Sequence, residues 1–294
     1  MQTSPMVSVV MPSFNQAQFI EQAINSVLNQ SYQKIELIVA DGGSDDGTIE
    51  ILKQKQFMDN RLRWFSQKDN GPAHAINNAL SKVRGTIIGW LNSDDFYALE
   101  SIQRAVNAFS NDLSLLMIYG QGQYVDSNNC FLNTYPTLPP STAISKFSEG
   151  CFICQPTVFF KRPMYLLLGK LDENLKTAFD FDYWLRAFSL FQSRIGFVDE
   201  VQAYSRLHED CITMKMRQVV ILEGMQLLAK YLGSAPKEWF LTYVEEKAKS
   251  HIESKKINSD FRNDVMFTYS KASEFLSAQD CSDLKQIMDK LLTN

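Results

Sequence analysis

No apolar run in the 294-residue sequence approaches the roughly 20 residues that a membrane-crossing helix needs, so no membrane span is expected. The opening MQTSPMVSVVMPSF lacks a basic n-region and runs straight into a strand pattern, which argues against a signal peptide. Cysteine is scarce and odd in number, at five, which argues against a disulfide framework and for a reduced, cytoplasmic setting. No charge of one sign dominates: 29 Lys plus Arg against 33 Asp plus Glu leave a net charge of -4, too little field for nonspecific nucleic-acid binding, so no nucleic-acid partner is expected. The first strand is followed by no glycine fingerprint, which excludes a dinucleotide-binding dehydrogenase. The turn MPSFNQAQF carries no Lys or Arg, which speaks against the basic phosphate loop of a nucleotidyltransferase. Internal repeats and low-complexity tracts are missing as well.

What remains is a globular composition, 45% hydrophobic and 21% charged, in a chain long enough for a large core. Val7 to Met11 reads as a strand, and Ile20, Ile24, Val27 and Leu28 then mark one face of a helix. IELIVA (35–40) is a second buried strand, stopped by the turn formers DGGSDDGT. Thr48 to Gln56 is expected as helix, LRWF as strand, Ala73 to Val83 as helix and TIIGWL as strand. This alternation predicts an α/β protein with a mixed, mostly parallel sheet flanked by helices. LLMIYG and QPTVFF supply later strands, separated by the connection YPTLPPSTAI, which reads as a mobile or substrate-facing segment. Beyond about residue 210 the periodicity turns helical, so the domains expected are 1–210 and a helical C-terminal region, 211–294. None of those helices shows a convincing basic amphipathic face, and peripheral membrane association is left open.

The stretch GTIIGWLNSDDFY ends an apolar strand in two adjacent carboxylates, Asp94 and Asp95, with no Lys or Arg inside it. Side by side they repel unless a positive partner joins them, and a metal ion is one such partner. Ser93 or Asp94 capping a helix over Phe96–Ala108 is the plainer reading. In MPSFN, Phe14 follows the strand end, where a base could stack on it or where it could pack into the core. In KTAFDFDYWLRAFSLF, Phe181, Leu185 and Phe188 follow core spacing, and Asp182 sits four residues before Arg186, which predicts an ion pair on one helix face. Asp180, at the helix start, is left to face a cleft. Asp45, Asp46 and Thr48 read as a turn and a helix cap. A calcium loop there fails because Asp46 fills the glycine position. Cys151, Cys154, His208 and Cys211 have the residue types of a zinc site, but buried inert cysteines are the commoner outcome.

Taken in order, VSVVMPSFNQAQFIEQAINSVLNQSY, IELIVADGGSDDGT, GTIIGWLNSDD and FDFDYWLR resemble the family 2 glycosyltransferases of the GT-A (Rossmann-like) fold, over roughly residues 6 to 210. The resemblance implies an inverting, metal-dependent enzyme that moves a sugar from a nucleoside-diphosphate sugar, with UDP as its nucleotide, to a hydroxyl of a saccharide or lipid-linked glycan. It implies that Pro12, Ser13, Phe14 and Asn15 cradle the donor nucleotide. Asp41 accepts the uracil N3–H, Asp94 contacts the ribose or a metal-bound water, Asp95 and His208 ligate Mn²⁺ or Mg²⁺, and Asp180 is the base. The setting implied is the cytoplasm, at the inner face of a membrane. Phe14 stands where the family usually has Tyr, Gly42 where many relatives have a second Asp, and Phe179 where another acid often precedes the base. His74 replaces an Asp or Arg of many relatives, and Asn78 fits a helix near the donor. The rival of a different class is a noncatalytic nucleotide-sugar-binding protein of the same fold.

Overall fold

The computed structural model describes residues 4–253 and 259–293. The first strand, β1 (Val7–Ser13), and the second, β2 (Ile35–Asp41), are buried at every position, which is how parallel strands covered on both faces read. Between them lies α1 (Ile20–Leu28), which turns Ile20, Ala23, Ile24, Val27 and Leu28 inward. Then come α2 (Thr48–Met58), β3 (Leu62–Ser66), α3 (Pro72–Leu80) and β4 (Ile87–Trp90). Pro72 at the first turn suits a position whose N–H has no partner in the helix. The remaining elements of this unit are β5 (Phe96–Tyr97), α4 (Ser101–Asn111), β6 (Met117–Val125), β7 (Phe131–Thr134), β8 (Phe159–Lys161), α5 (Arg162–Leu168), α6 (Phe179–Phe191) and β9 (Ile195–Arg206).

The strands form one nine-stranded sheet in the order β3-β2-β1-β4-β8-β6-β9-β5, with β7 paired to β6. The pairings β3-β2, β2-β1, β1-β4 and β6-β9 are parallel, while β8 runs against both its neighbours. Two reversals across β8 leave β6 and β9 pointing the same way as β1, β2 and β4. All their carboxyl ends therefore lie on one edge, where ligands of such sheets bind. One face packs Val9, Leu37, Ile87 and Ile118 against Ile24, Val27, Ile102 and Phe109. Each such side chain contributes roughly 1.5–3 kcal/mol on burial.

Two sequence expectations need correction. No helix starts at Phe96: Phe96 and Tyr97 pair antiparallel with Tyr204 and Ala203, and the helix begins only at Ser101, so neither Ser93 nor Asp94 caps it. In QPTVFF, Gln155–Thr157 is a 3₁₀ turn and only Phe159 onward is strand.

The chain divides into two compact units, residues 1–143 with 152–208, and residues 144–151 with 209–294. The second therefore includes a segment far upstream of residue 210. It consists of a 3₁₀ turn (Ile144–Glu149) and the helices α7 (Ile212–Lys215), α8 (Arg217–Leu232), α9 (Lys237–Glu253), α10 (Ser259–Ala272) and α11 (Ala278–Thr293). Trp239 Nε1 donates to the Ser148 carbonyl at 2.6 Å, which ties the upstream segment to α9. Asp264 accepts from Tyr243 at 2.6 Å and Gln218 at 2.9 Å, joining α8, α9 and α10. No helix among the described residues is long and apolar enough to cross a membrane.

Candidate active site

Four strand ends meet at the carboxyl edge. β1 delivers Phe14 and Asn15, β2 delivers Asp41 and the loop after it, β4 delivers Asn92–Asp95, and β9 delivers Arg206 and His208.

Phe14 is 60% exposed, so it is not a core residue but an open ring at the edge. Pro12 and Ser13 are buried inside β1, in register with Ala40 and Asp41, and the Ser13 carbonyl accepts the Gly42 N–H at 2.8 Å. The Ser13 hydroxyl is buried with no hydrogen-bond partner among the described residues, a polar atom that a ligand could satisfy. Asn15, at φ 52°, latches the two loops together: its N–H donates to Ser44 Oγ at 2.8 Å and its Oδ1 accepts from the Asp45 N–H at 3.0 Å. Asp46 works as a turn residue, accepting from Thr48 and from the Ala17 N–H.

Asp41 is buried, and its carboxylate is committed to its own loop. It accepts from the Gly43 N–H (2.9 Å), the Ser44 N–H (3.0 Å), Ser44 Oγ (2.5 Å) and Ser66 Oγ (2.6 Å). This bonding closes the strand end into a turn.

The Asp94–Asp95 question has a two-part answer. Asp95 is 4% exposed, with Oδ1 accepting the Arg206 N–H at 2.8 Å and Oδ2 facing Asn92 Nδ2 at 3.4 Å. Burial, then the charge of Asp94, pushes its carboxyl well above the usual range. Asp94 instead holds Oδ2 at 3.1 Å from His208 Nε2, and the His208 ring tilts against Phe19 at 4.8 Å. The geometry thus places His208 against Asp94, while Asp95 faces the backbone of Arg206.

The positive partner missing from GTIIGWLNSDDFY comes from Arg206. Its guanidinium is buried over the rings of Phe19 and Phe96, at 4.5 and 5.3 Å. It donates to the Asp94 carbonyl (2.7 Å), Asn129 Oδ1 (2.7 Å) and Gln22 Oε1 (2.9 Å). Sequence spacing could not reveal this, because the pairing spans 111 residues.

An oxygen–nitrogen pair suits a hard or borderline divalent cation, and Asp94 with His208 is such a pair. Among the described residues no three His, Cys, Asp or Glu side chains converge, so an ion here would complete its shell with phosphate oxygens and water.

Asp180 occupies the first turn of α6. Its Oδ1 accepts the Phe181 N–H at 2.7 Å, and burial raises its pKa to about 6. No charged group is among the causes of that rise. Asp182, two residues on, is an ion-pair residue, 2.8 Å from Arg186 Nε. Trp90, the last residue of β4, stacks on Phe179 at 5.8 Å. Gln155 clamps the same strand end, giving Nε2 to the Trp90 carbonyl (2.8 Å) and accepting from Asn92 Nδ2 (2.9 Å). Neither Gln155 nor Asn92 stands out in the sequence, since each is a neutral amide within an apolar or turn context. His74 bonds locally to Asn70 and Asn78, and so braces the start of α3.

The model of the family described as Glycosyl transferase family 2 matches residues 8–165, more than half the chain. The chain belongs to glycosyl transferase family 2. Chondroitin synthase of Escherichia coli is 31% identical over 183 residues, which cover 62% of this chain and 26% of that protein. Hyaluronan synthase of Pasteurella multocida is 24% identical over 290 residues, 97% of this chain and 28% of that one. This family 2 chain thus spans about a quarter of either synthase. Two solved structures share its GT-A-like fold. S. aureus TarS 1-349 in complex with UDP-GlcNAc has a TM-score of 0.62 at 17% identity, covering 98% of this chain and 92% of that one. The mannosyltransferase PcManGT from Pyrobaculum calidifontis, in complex with GDP-Man and Mn²⁺, has a TM-score of 0.61 at 20% identity, covering 99% and 81%.

Proposed function

We propose that the chain is an inverting glycosyltransferase that moves a sugar from a UDP-sugar to a hydroxyl of a growing saccharide or lipid-linked glycan. The observation that carries this reading is the pairing of Asp94 Oδ2 with His208 Nε2, at 3.1 Å, on the carboxyl edge of a family 2 chain. Asp94 and His208 would hold Mn²⁺ or Mg²⁺, which when bound offsets the charge that builds on the departing diphosphate. The unpartnered Ser13 hydroxyl and the open Phe14 ring would receive the nucleoside.

Asp180 is the base. Raised to about 6, it is ionised at neutral pH yet basic enough to take a proton. It removes the acceptor hydroxyl proton as that oxygen attacks the anomeric carbon from the face opposite the diphosphate. The new C–O bond forms as the bond to the β-phosphate oxygen breaks, the electron pair leaves on UDP, and the anomeric configuration inverts. Polysaccharide synthesis as the setting draws support from the two synthases, chondroitin and hyaluronan, to which the chain is similar.

The test is UDP release from UDP-glucose, UDP-N-acetylglucosamine and UDP-glucuronate with Mn²⁺ and saccharide acceptors, with the product anomer read by NMR. Release from at least one donor with inverted product is expected. Binding without release from any donor would favour the noncatalytic alternative, and a retained anomer would remove Asp180 as proposed.

A further inference from the structure

The edge of the sheet opposite the site, where the parallel strands begin and β8 ends, gathers positive charge. Lys161 Nζ donates to the Leu113 carbonyl at 2.9 Å and Arg194 Nε to the Ser114 carbonyl at 2.7 Å, so the loop after α4 holds two cations together. Burial, then the charge of Arg194, lowers the pKa of Lys161. Arg162 is exposed beside them, and Lys82 and Arg84 are exposed just before β4. The acids of this edge are committed within it. Glu36 accepts from Ser8, Arg63 and the Arg84 N–H, and Asp59 is paired with Arg61. Asp112 accepts from Ser114 and offsets part of the charge on Lys161. Large apolar side chains stand out among the cations: Phe57, at the end of α2, is 94% exposed, and Leu113 is 68% exposed.

We propose that this amino edge docks on a membrane surface rich in anionic lipid, with Phe57 and Leu113 entering the headgroup layer and the cations between them meeting lipid phosphates. The whole chain carries a net charge of -4, so the positive field is a local feature of this edge. Its breadth argues for a planar partner. Phe57 ends the helix before β3 and Leu113 lies in the loop before β6, five strand spacings away in the sheet order. At about 4.8 Å per spacing that is roughly 24 Å, with Lys82, Arg84 and Lys161 at the strand ends between. Apolar side chains set among cations are what binds an interface of acyl chains and anionic headgroups. β1 and β2 are seven residues long, so a chain docked in this way holds Asp41 roughly 23 Å from the lipid, on the edge that faces away from it. The docking stands apart from the identity of the donor.

The experiment is flotation of the full chain with vesicles of phosphatidylcholine alone and of equimolar phosphatidylcholine and phosphatidylglycerol. It compares wild type with Phe57→Ser, Leu113→Ser and the double variant Lys82→Gln with Arg162→Gln. Wild type should float with the anionic vesicles, stay behind with the neutral ones, and be released by salt. Each cation beside an anionic leaflet contributes roughly fivefold in affinity, so the double variant should bind about tenfold more weakly or worse. Phe57→Ser and Leu113→Ser should each weaken binding severalfold. All four side chains are exposed, so every variant should melt as wild type does. No donor enters the assay, so a failure of the donor reading would leave its result standing. Equal flotation with both kinds of vesicle, or variants that float as wild type does, would overturn the proposal. Wild type that floats with neither would overturn it too, and would turn this edge toward an acidic protein partner instead.

Discussion

Replacing Asp180 by asparagine should make the protein more stable and less active at once. Burial without a cation holds the Asp180 carboxyl at about 6 rather than the ordinary 3.8. That gap corresponds to a native-state cost of up to about 3 kcal/mol wherever the group is ionised. The folded pKa is the higher one, so the native state binds the extra proton between the two values. The cost is absent below about pH 4, builds between pH 4 and 6, and is complete above 6. Asparagine has nearly the same shape, keeps an oxygen for the Phe181 N–H, and carries no charge to desolvate. Asp180→Asn should therefore melt about 5 °C above wild type at pH 8 and together with it near pH 4. Transfer should fall about 10²–10⁴-fold while donor binding holds. Wild-type transfer should rise with pH through about 6 and then level off, since the base works only when deprotonated. Melting curves at the two pH values, alongside initial rates, check both halves. Equal melting at pH 8 would refute the desolvation argument, and unimpaired transfer would refute the role as base.

Arg206→Lys should keep a buried charge but lose the fork that joins Asp94, Asn129 and Gln22. A lower melting temperature together with weaker Mn²⁺-supported UDP binding is expected, and normal metal dependence would show that Arg206 does not position Asp94. Gly89→Ala in β4 would set a methyl 2.6 Å from Tyr97 Oη and 2.8 Å from the Phe159 ring. Overpacking of this kind costs about 1–3 kcal/mol, readable in a denaturant titration, and a neutral result would mean that the β4–β8 contact has slack.

The local layers of the fold were legible. The continuous apolar runs of β1 and β2, the 3.6-residue spacing of α1, and the glycine-rich turn after Asp41 each announce themselves within a dozen residues. Long-range pairings were not. The dipeptide Phe96–Tyr97 is a strand only because β9 lies alongside it, and the upstream segment 144–151 joins the C-terminal helices through contacts such as Trp239 with Ser148. The same divide runs through the site. Asp94, Asp180 and His208 stood out as polar residues near strand or helix ends. Which of the two adjacent aspartates faces His208 depends on Arg206, more than a hundred residues downstream, bonding the backbone of one and the carboxylate of the other. Likewise, the exposure of Phe14 and the nearness of Asp69 to Gly42 come from three loops meeting, which no spacing in the sequence encodes.

The measurement that bears most directly on the central claim is titration of UDP into wild type and Asp94→Ala, with and without Mn²⁺. Mn²⁺ should sharpen UDP binding to wild type, and this enhancement should disappear in Asp94→Ala while the fold stays intact by circular dichroism. Equal UDP affinity with and without the metal in wild type, or an enhancement that survives in Asp94→Ala, would contradict it.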